Sequence, residues 1–183
     1  VRTFEELRWR WVINTYVRPF YLRAEWLPHD WTMARRVARA GKRVKLGDVQ
    51  RMLHGTWRES SVAAWYCLRL PPESVTSDLE FALGHAYSSK NAHTLAAAAV
   101  ALLGPRALPM LESAPCLIDA EPGDDGAGVV AAAIEEIGGT PPIRPDDGYR
   151  AWFQGLLRAA RDLQVAYRDV QLTSRTSGRC PRR

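Results

Sequence analysis

With 183 residues, 46% of them hydrophobic and 25% charged, the chain has ordinary globular composition and the length to bury one core. Three scattered cysteines, Cys67, Cys116 and Cys180, argue against a disulfide framework and a zinc knuckle, and the charged, aromatic stretch "VRTFEELRWRWVINTY" does not resemble a signal peptide. The net charge of +5 hides a block layout: residues 1–58 carry 13 Lys/Arg against 5 Asp/Glu, residues 59–148 carry 4 against 13, and residues 149–183 carry 8 against 2. Basic ends folding against an acidic middle account for this layout, and so does a basic face kept for an acidic partner.

Thr3 to about Val17 reads as a helix, capped by Thr3 with Glu5 and Glu6 in its first turn. After Pro19, "PFYLRAEWL" starts a short second helix that Pro28 ends. His29 or Asp30 then caps "WTMARRVARAG", and Gly41 is placed as its C′ residue. This segment and the following "KRVK" form the densest run of positive charge in the chain.

From Leu46 the pattern is regular. "LGDVQRMLHG" reads as a short helix capped by Asp48, and "RESSVAAWYCLRL" as a longer one stopped by Pro71-Pro72. The alternation recurs in "SDLEFALGHAY" with "AHTLAAAAVALLG", and in "RALPMLESA" with "DDGAGVVAAAIEEIGG". Aligned on Pro71, Gly104 and Gly138, the segments superpose Ala64, Ala97 and Ala131, then Cys67, Val100 and Ile134, then Leu70, Leu103 and Ile137. The last two sets lie three residues apart and share a helical face, and the small residues let helices approach closely. This is the pattern of stacked helical hairpins, at approximately 46–71, 77–104 and 106–139. Tetratricopeptide and ankyrin signatures are absent, so the expected fold is all-α, a HEAT-like stack in one domain over residues 1–172.

After the linker "GGTPPIRPDDG", residues 147–172 form the clearest helix, with Trp152, Leu156, Leu163, Tyr167 and Val170 as its apolar stripe and its arginines largely off it. It is expected to cap the stack by covering its last apolar face. Residues 173–183 read as a disordered basic tail.

No P-loop, dinucleotide turn, G-x-S-x-G or H-E-x-x-H motif is present. His29, His54, His85 and His93 lack helical partners, although His85 and His93 straddle a loop and are able to meet. Asp124-Asp125 and Asp146-Asp147 stand where helix caps are expected, Glu135-Glu136 reads as a solvated edge, and neither a metal nor a cofactor is expected. The notable constellation is aromatic: Tyr16, Tyr21, Trp57, Arg58 and Trp65 gather rings beside an arginine, either as a partner-binding surface or as a core lined by an Arg stem. A second set, Arg35, Arg36, Arg39, Lys42, Arg43, Lys45, Arg158 and Arg161, suits nucleic-acid phosphates.

"YVRPFYL" followed by "DVQRMLHGTWRESSVAAWYCLRL" resembles an uncharacterised actinobacterial family, the domain of unknown function numbered six thousand. Tyr16, Val17, Pro19, Phe20 and Tyr21 match its first pattern, and Trp57, Arg58, Ala63, Ala64 and Trp65 its second, over roughly residues 12–138. Met52 stands where that family usually has Leu, and the third hairpin lacks its aromatic-Asp-Gln run. The resemblance implies an all-α, HEAT-like solenoid with no assigned activity, so no catalytic residue carries over. The expectation is a cytoplasmic, non-enzymatic interaction protein, an adaptor or immunity-type partner of another protein, without membrane attachment. The alternative is a nucleic-acid-binding protein with Arg-rich faces.

Overall fold

Helix α1 (Phe4–Val12) begins where Thr3 and Glu6 cap each other, Thr3 Oγ1 accepting from the Glu6 amide at 3.2 Å and the Glu6 carboxylate from the Thr3 amide at 3.0 Å. The structure, a computed structural model, describes residues 3–86, 89–118 and 125–176, and every element among them is helical, with no strand. The first helix continues into a π-helical turn (Ile13–Val17), closed by the Arg18 amide on the Ile13 carbonyl at 2.9 Å. A 3-10 helix (Tyr21–His29) follows the turn that contains Pro19. Asp30 caps α2 (Trp31–Gly41), its carboxylate accepting from Thr32 Oγ1 at 2.6 Å and the Met33 amide at 3.0 Å. Those bonds, the Thr32 hydroxyl first, hold the Asp30 carboxyl below its ordinary range.

Three pairs of helices come next: α3 (Leu46–Leu53) with α4 (Trp57–Cys67), α5 (Thr76–Gly84) with α6 (Ser89–Leu103), and α7 (Leu108–Glu112) with α9 (Asp125–Glu136). A further short helix, α8 (Pro115–Ile118), precedes α9, so the third unit has two short helices where the sequence pattern suggests one. The long helices α4, α6 and α9 lie side by side in chain order, and α3, α5 and α7 run along one flank. Ala64, Ala97 and Ala131 are fully buried between them, as are Cys67, Val100 and Ile134 one turn on. Leu103 is buried, while Leu70 and Ile137 are half-buried against the same core.

Glycine ends two of the long helices in the left-handed region, Gly104 at φ +56° and Gly138 at φ +85°. At the second, the Gly139 amide donates to the Ile134 carbonyl at 2.9 Å and the Gly138 amide to Glu135 at 3.0 Å, which is a Schellman closure. Gly41, expected to play that part for α2, does not: it is the last helical residue with an ordinary φ. Its reason is space, because a Cβ there would stand 2.3 Å from the Tyr167 hydroxyl. Asp48 likewise does not cap α3. Lys45 holds the N-cap position, and Asp48 sits in the first turn, buried and paired with Arg8 at 2.5 Å.

The last helix, α10 (Asp147–Thr176), is 30 residues long and spans about 45 Å. It runs four residues past the expected end at position 172, and residues 177–183 of the expected tail lie outside the described residues. It does not close the end of the row but lies along the second flank, packing on α6, α9, α2 and the 3-10 helix. The stripe it buries is Phe153, Leu156, Leu157, Ala160, Leu163 and Tyr167; Trp152 is only half-buried, and the Val170 side chain lies outside the described ones. A face this long exceeds what one terminal hairpin offers, so it settles across the row. Helix α6 is consequently buried at every position from 91 to 100. The stretch Asn91–Glu112 is long and apolar enough to cross a membrane by length and composition, yet 61% of its most apolar window is buried here and the α-helix ends at Leu103.

Candidate functional site: a cationic groove between α2 and α10

Sequence spacing alone places Arg35, Arg39 and Lys42 on one side of α2, four and three residues apart, while Met33 and Val37 turn into the core. On α10, Ala151, Gly155, Ala159 and Ala166 recur at nearly the same interval and form a stripe of small side chains. The two helices are pinned together where Tyr167 passes beneath Gly41 and donates from its hydroxyl to the Trp65 carbonyl at 3.4 Å. Beside that contact the small residues leave a groove of 1110 Å³. Leu27, Pro28, Ala34, Ala38 and Leu163 make its floor, and Val165, 53% exposed, adds an apolar edge that nothing covers.

Arg35, Arg39 and Lys42 stand on one rim, and Arg158 and Asp162 on the other. Among the described residues, no carboxylate lies within ion-pair distance of Arg39, Lys42 or Arg158. Partial burial, reinforced by the neighbouring Arg39, pushes the Lys42 ammonium below its usual range. An anion entering the groove relieves that repulsion. The site therefore combines an apolar floor with an excess of positive charge, its lining setting Arg35, Arg39, Lys42 and Arg158 against the carboxylate of Asp162.

The remaining basic residues singled out in the sequence stand elsewhere. Arg36 lies over the Phe20 ring at 5.8 Å, and Arg43, Lys45 and Arg161 are exposed outside the groove. The aromatic set divides in two. Trp65 is completely buried and donates its indole N–H to the Ala24 carbonyl at 2.9 Å, and Tyr16 is buried with its carbonyl accepting from the Tyr66 hydroxyl at 2.7 Å. Neither reaches a partner; both fasten the N-terminal helices to α4. Tyr21 and Trp57 meet edge to face at 5.8 Å, with the Arg58 guanidinium 5.3 and 4.5 Å from their ring centres. That is an arginine lying along aromatic faces at the junction of the 3-10 helix and α4.

The histidines also part. His93 packs against Trp152, with ring centres 4.7 Å apart, whereas His85 stacks on Phe81 at 4.1 Å. His54 stacks on the other side of Phe81, also at 4.1 Å, and pairs with Asp78 at 2.8 Å, a cluster the sequence reading missed because the residues lie on α5 and just beyond α3 and α5. A second cavity, of 250 Å³, adjoins Phe81, His85, Trp57 and Asn91. Among the described residues no three His, Cys, Asp or Glu side chains are grouped to hold a metal ion.

The paired aspartates serve the frame. Asp146 caps α10 through the Tyr149 amide at 2.9 Å, Asp125 accepts from the Tyr149 hydroxyl at 3.0 Å, and Asp147 pairs with Arg150; Asp124 lies outside the described residues. Glu135 and Glu136 lie at a solvent-facing edge as expected, but Glu135 is engaged there, Arg150 donating to both its oxygens at 2.8 and 3.2 Å. Burial pushes the Cys67 thiol far above its ordinary range, as expected of an inert core cysteine. Set beside models of protein families, curated proteins and solved structures, the chain matches none of them.

Proposed function

We propose that this chain is a non-enzymatic interaction module whose α2/α10 groove receives an acidic amphipathic helix of a partner protein. The observation that carries the reading is Arg39 and Lys42, with no carboxylate of a described residue within ion-pair distance, beside an apolar floor of Ala34, Ala38 and Leu163. A helix with leucines at i, i+3, i+4 and i+7 and glutamates on its flanks matches both features at once. A polyanion such as nucleic acid answers the charge and leaves the floor unused. The serial order of α4, α6 and α9 supports a HEAT-like ancestry, and with it the resemblance to the family of unknown function. The fully buried thiol of Cys67, held in no disulfide, supports a cytoplasmic location.

The test is a fluorescence-anisotropy titration with a labelled 18-residue Leu/Glu amphipathic peptide, run beside single-stranded and duplex oligonucleotides. Binding of the peptide that falls at least tenfold in Arg39→Glu and in Lys42→Glu supports the reading. Tighter binding of an oligonucleotide, with a steep loss of affinity in salt, replaces it with the nucleic-acid alternative. Peptide binding indifferent to both substitutions, or none at all, removes the groove from consideration.

A further inference from the structure

Helix α1 packs lightly on the rest of the protein. Within it only Val12 is buried; Trp9 packs half-buried against the core with Arg51 lying 4.1 Å over its ring, Trp11 touches Tyr16, and Arg8 pairs with Asp48. Its opposite side carries Phe4, Leu7 and Trp11, which are 82%, 53% and 57% exposed. Their spacing of three and four residues puts all three on one largely exposed stripe, with Trp11 at its far end meeting the buried Tyr16 ring edge to face at 5.5 Å. The helix is anchored chiefly at its C-terminal end, where it runs into the π-helical turn with Tyr16 and Val17 buried, and its uncovered apolar stripe calls for an occupant.

We infer that the occupant is α1 of a second copy, the two helices pairing antiparallel about a two-fold axis beside Leu7. The sequence of the helix is self-complementary in that orientation. With the axis between positions 7 and 8, Phe4 of one copy lies level with Trp11 of the other, and the two Leu7 side chains flank the centre, offset by one residue along the helix. The charges follow the same rule: α1 is acidic in its first turn, at Glu5 and Glu6, and basic in its last, at Arg10. On one flank of the stripe Arg10 of each copy therefore comes against Glu6 of the other, as an isologous contact requires. A bilayer is the poorer occupant, because Glu5 and Glu6 are repelled by anionic headgroups and the helix carries no excess of positive charge. Two such short helix faces bury at most roughly 1,000 Å², below the size of standard stable interfaces, so the dimer is a weak, concentration-dependent one.

Sedimentation velocity from about 1 to 300 µM tests this, a range that spans weak self-association. The chain should pass from monomer to dimer across the range, and Leu7→Asp should remain monomeric with an unchanged thermal melt, since Leu7 is exposed. Arg10→Glu and Glu6→Arg should each weaken self-association at least tenfold, and a mixture of the two should form a heterodimer tighter than either homodimer. Recovery of that kind reports a contact between copies and not a lost helix cap. A monomer at all concentrations overturns the inference, as does a dimer that survives Leu7→Asp. So does co-sedimentation with phosphatidylcholine/phosphatidylglycerol vesicles that Leu7→Asp abolishes while the protein stays monomeric.

Discussion

Small side chains do opposite work in two places. On α6, Ala96, Ala97, Ala98 and Ala99 are fully buried, because α4, α9 and α10 close on that helix from all sides. On α10, Ala151, Gly155 and Ala166 are as small, yet they edge open space, because α2 presents arginines and a lysine at the rims instead of an apolar neighbour. A run of small residues is thus a licence for close approach, and the charge of the facing element decides whether approach occurs.

Substitutions that add volume should separate the two regions. Ala97→Leu forces new atoms into the sealed centre and should cost about 3 kcal/mol, lowering the melting temperature by about 6–12 °C in calorimetry. Gly41→Ala drives a Cβ into the buried Tyr167 ring and strains its hydrogen bond to Trp65, a loss of about 1–2 kcal/mol by urea titration. Gly155→Ala has the opposite sign. Its Cβ would rest 3.5 Å from Pro28, an ordinary contact, and replacing a helical glycine should stabilise by about 0.5–1 kcal/mol. A destabilised Gly155→Ala, or a neutral Ala97→Leu, would break the contrast.

The smallest expected effect is electrostatic. Arg150 holds the Glu135 carboxyl below its ordinary value of 4.5, its hydrogen bonds being the main cause. The folded state therefore gains from this pair above about pH 4.5 and loses that gain as acid protonates Glu135 through its lowered folded value. Unfolding followed from pH 7 to pH 3 should fall less steeply in Glu135→Gln than in the parent. Equal slopes would mean that the pair is silent at the surface.

Much of the frame was legible from spacing. The caps at Thr3, Asp30 and Asp146, the hairpin ends at Gly104 and Gly138, and the superposed alanines follow from local geometry that the sequence states directly. What spacing leaves open is the identity of the neighbour. An apolar stripe on α10 requires a receiving surface without naming it, so a lid at the end of the row and a strut along its flank look alike. For the same reason Trp65 and Tyr16 suit both a partner surface and a core, and only their bonds to Ala24 and Tyr66 decide for the core. Asp48 misled because an aspartate in a first helical turn has the same local signature whether it caps or reaches, here to Arg8. The groove was half visible: Arg35, Arg39 and Lys42 share a face in the sequence, but nothing in it foretells that Arg158 stands across from them.

The hydrogen bond from Tyr167 to Trp65 joins residues 102 apart in the chain. A ribosome releases α10 only after every helix it rests on, and at 5–20 residues per second the flank of α6 waits on the order of several seconds for its cover. Nascent chains in that interval present a bare alanine-lined ridge to whatever is nearby, which makes the delay before the final strut arrives the moment of greatest exposure to misassembly.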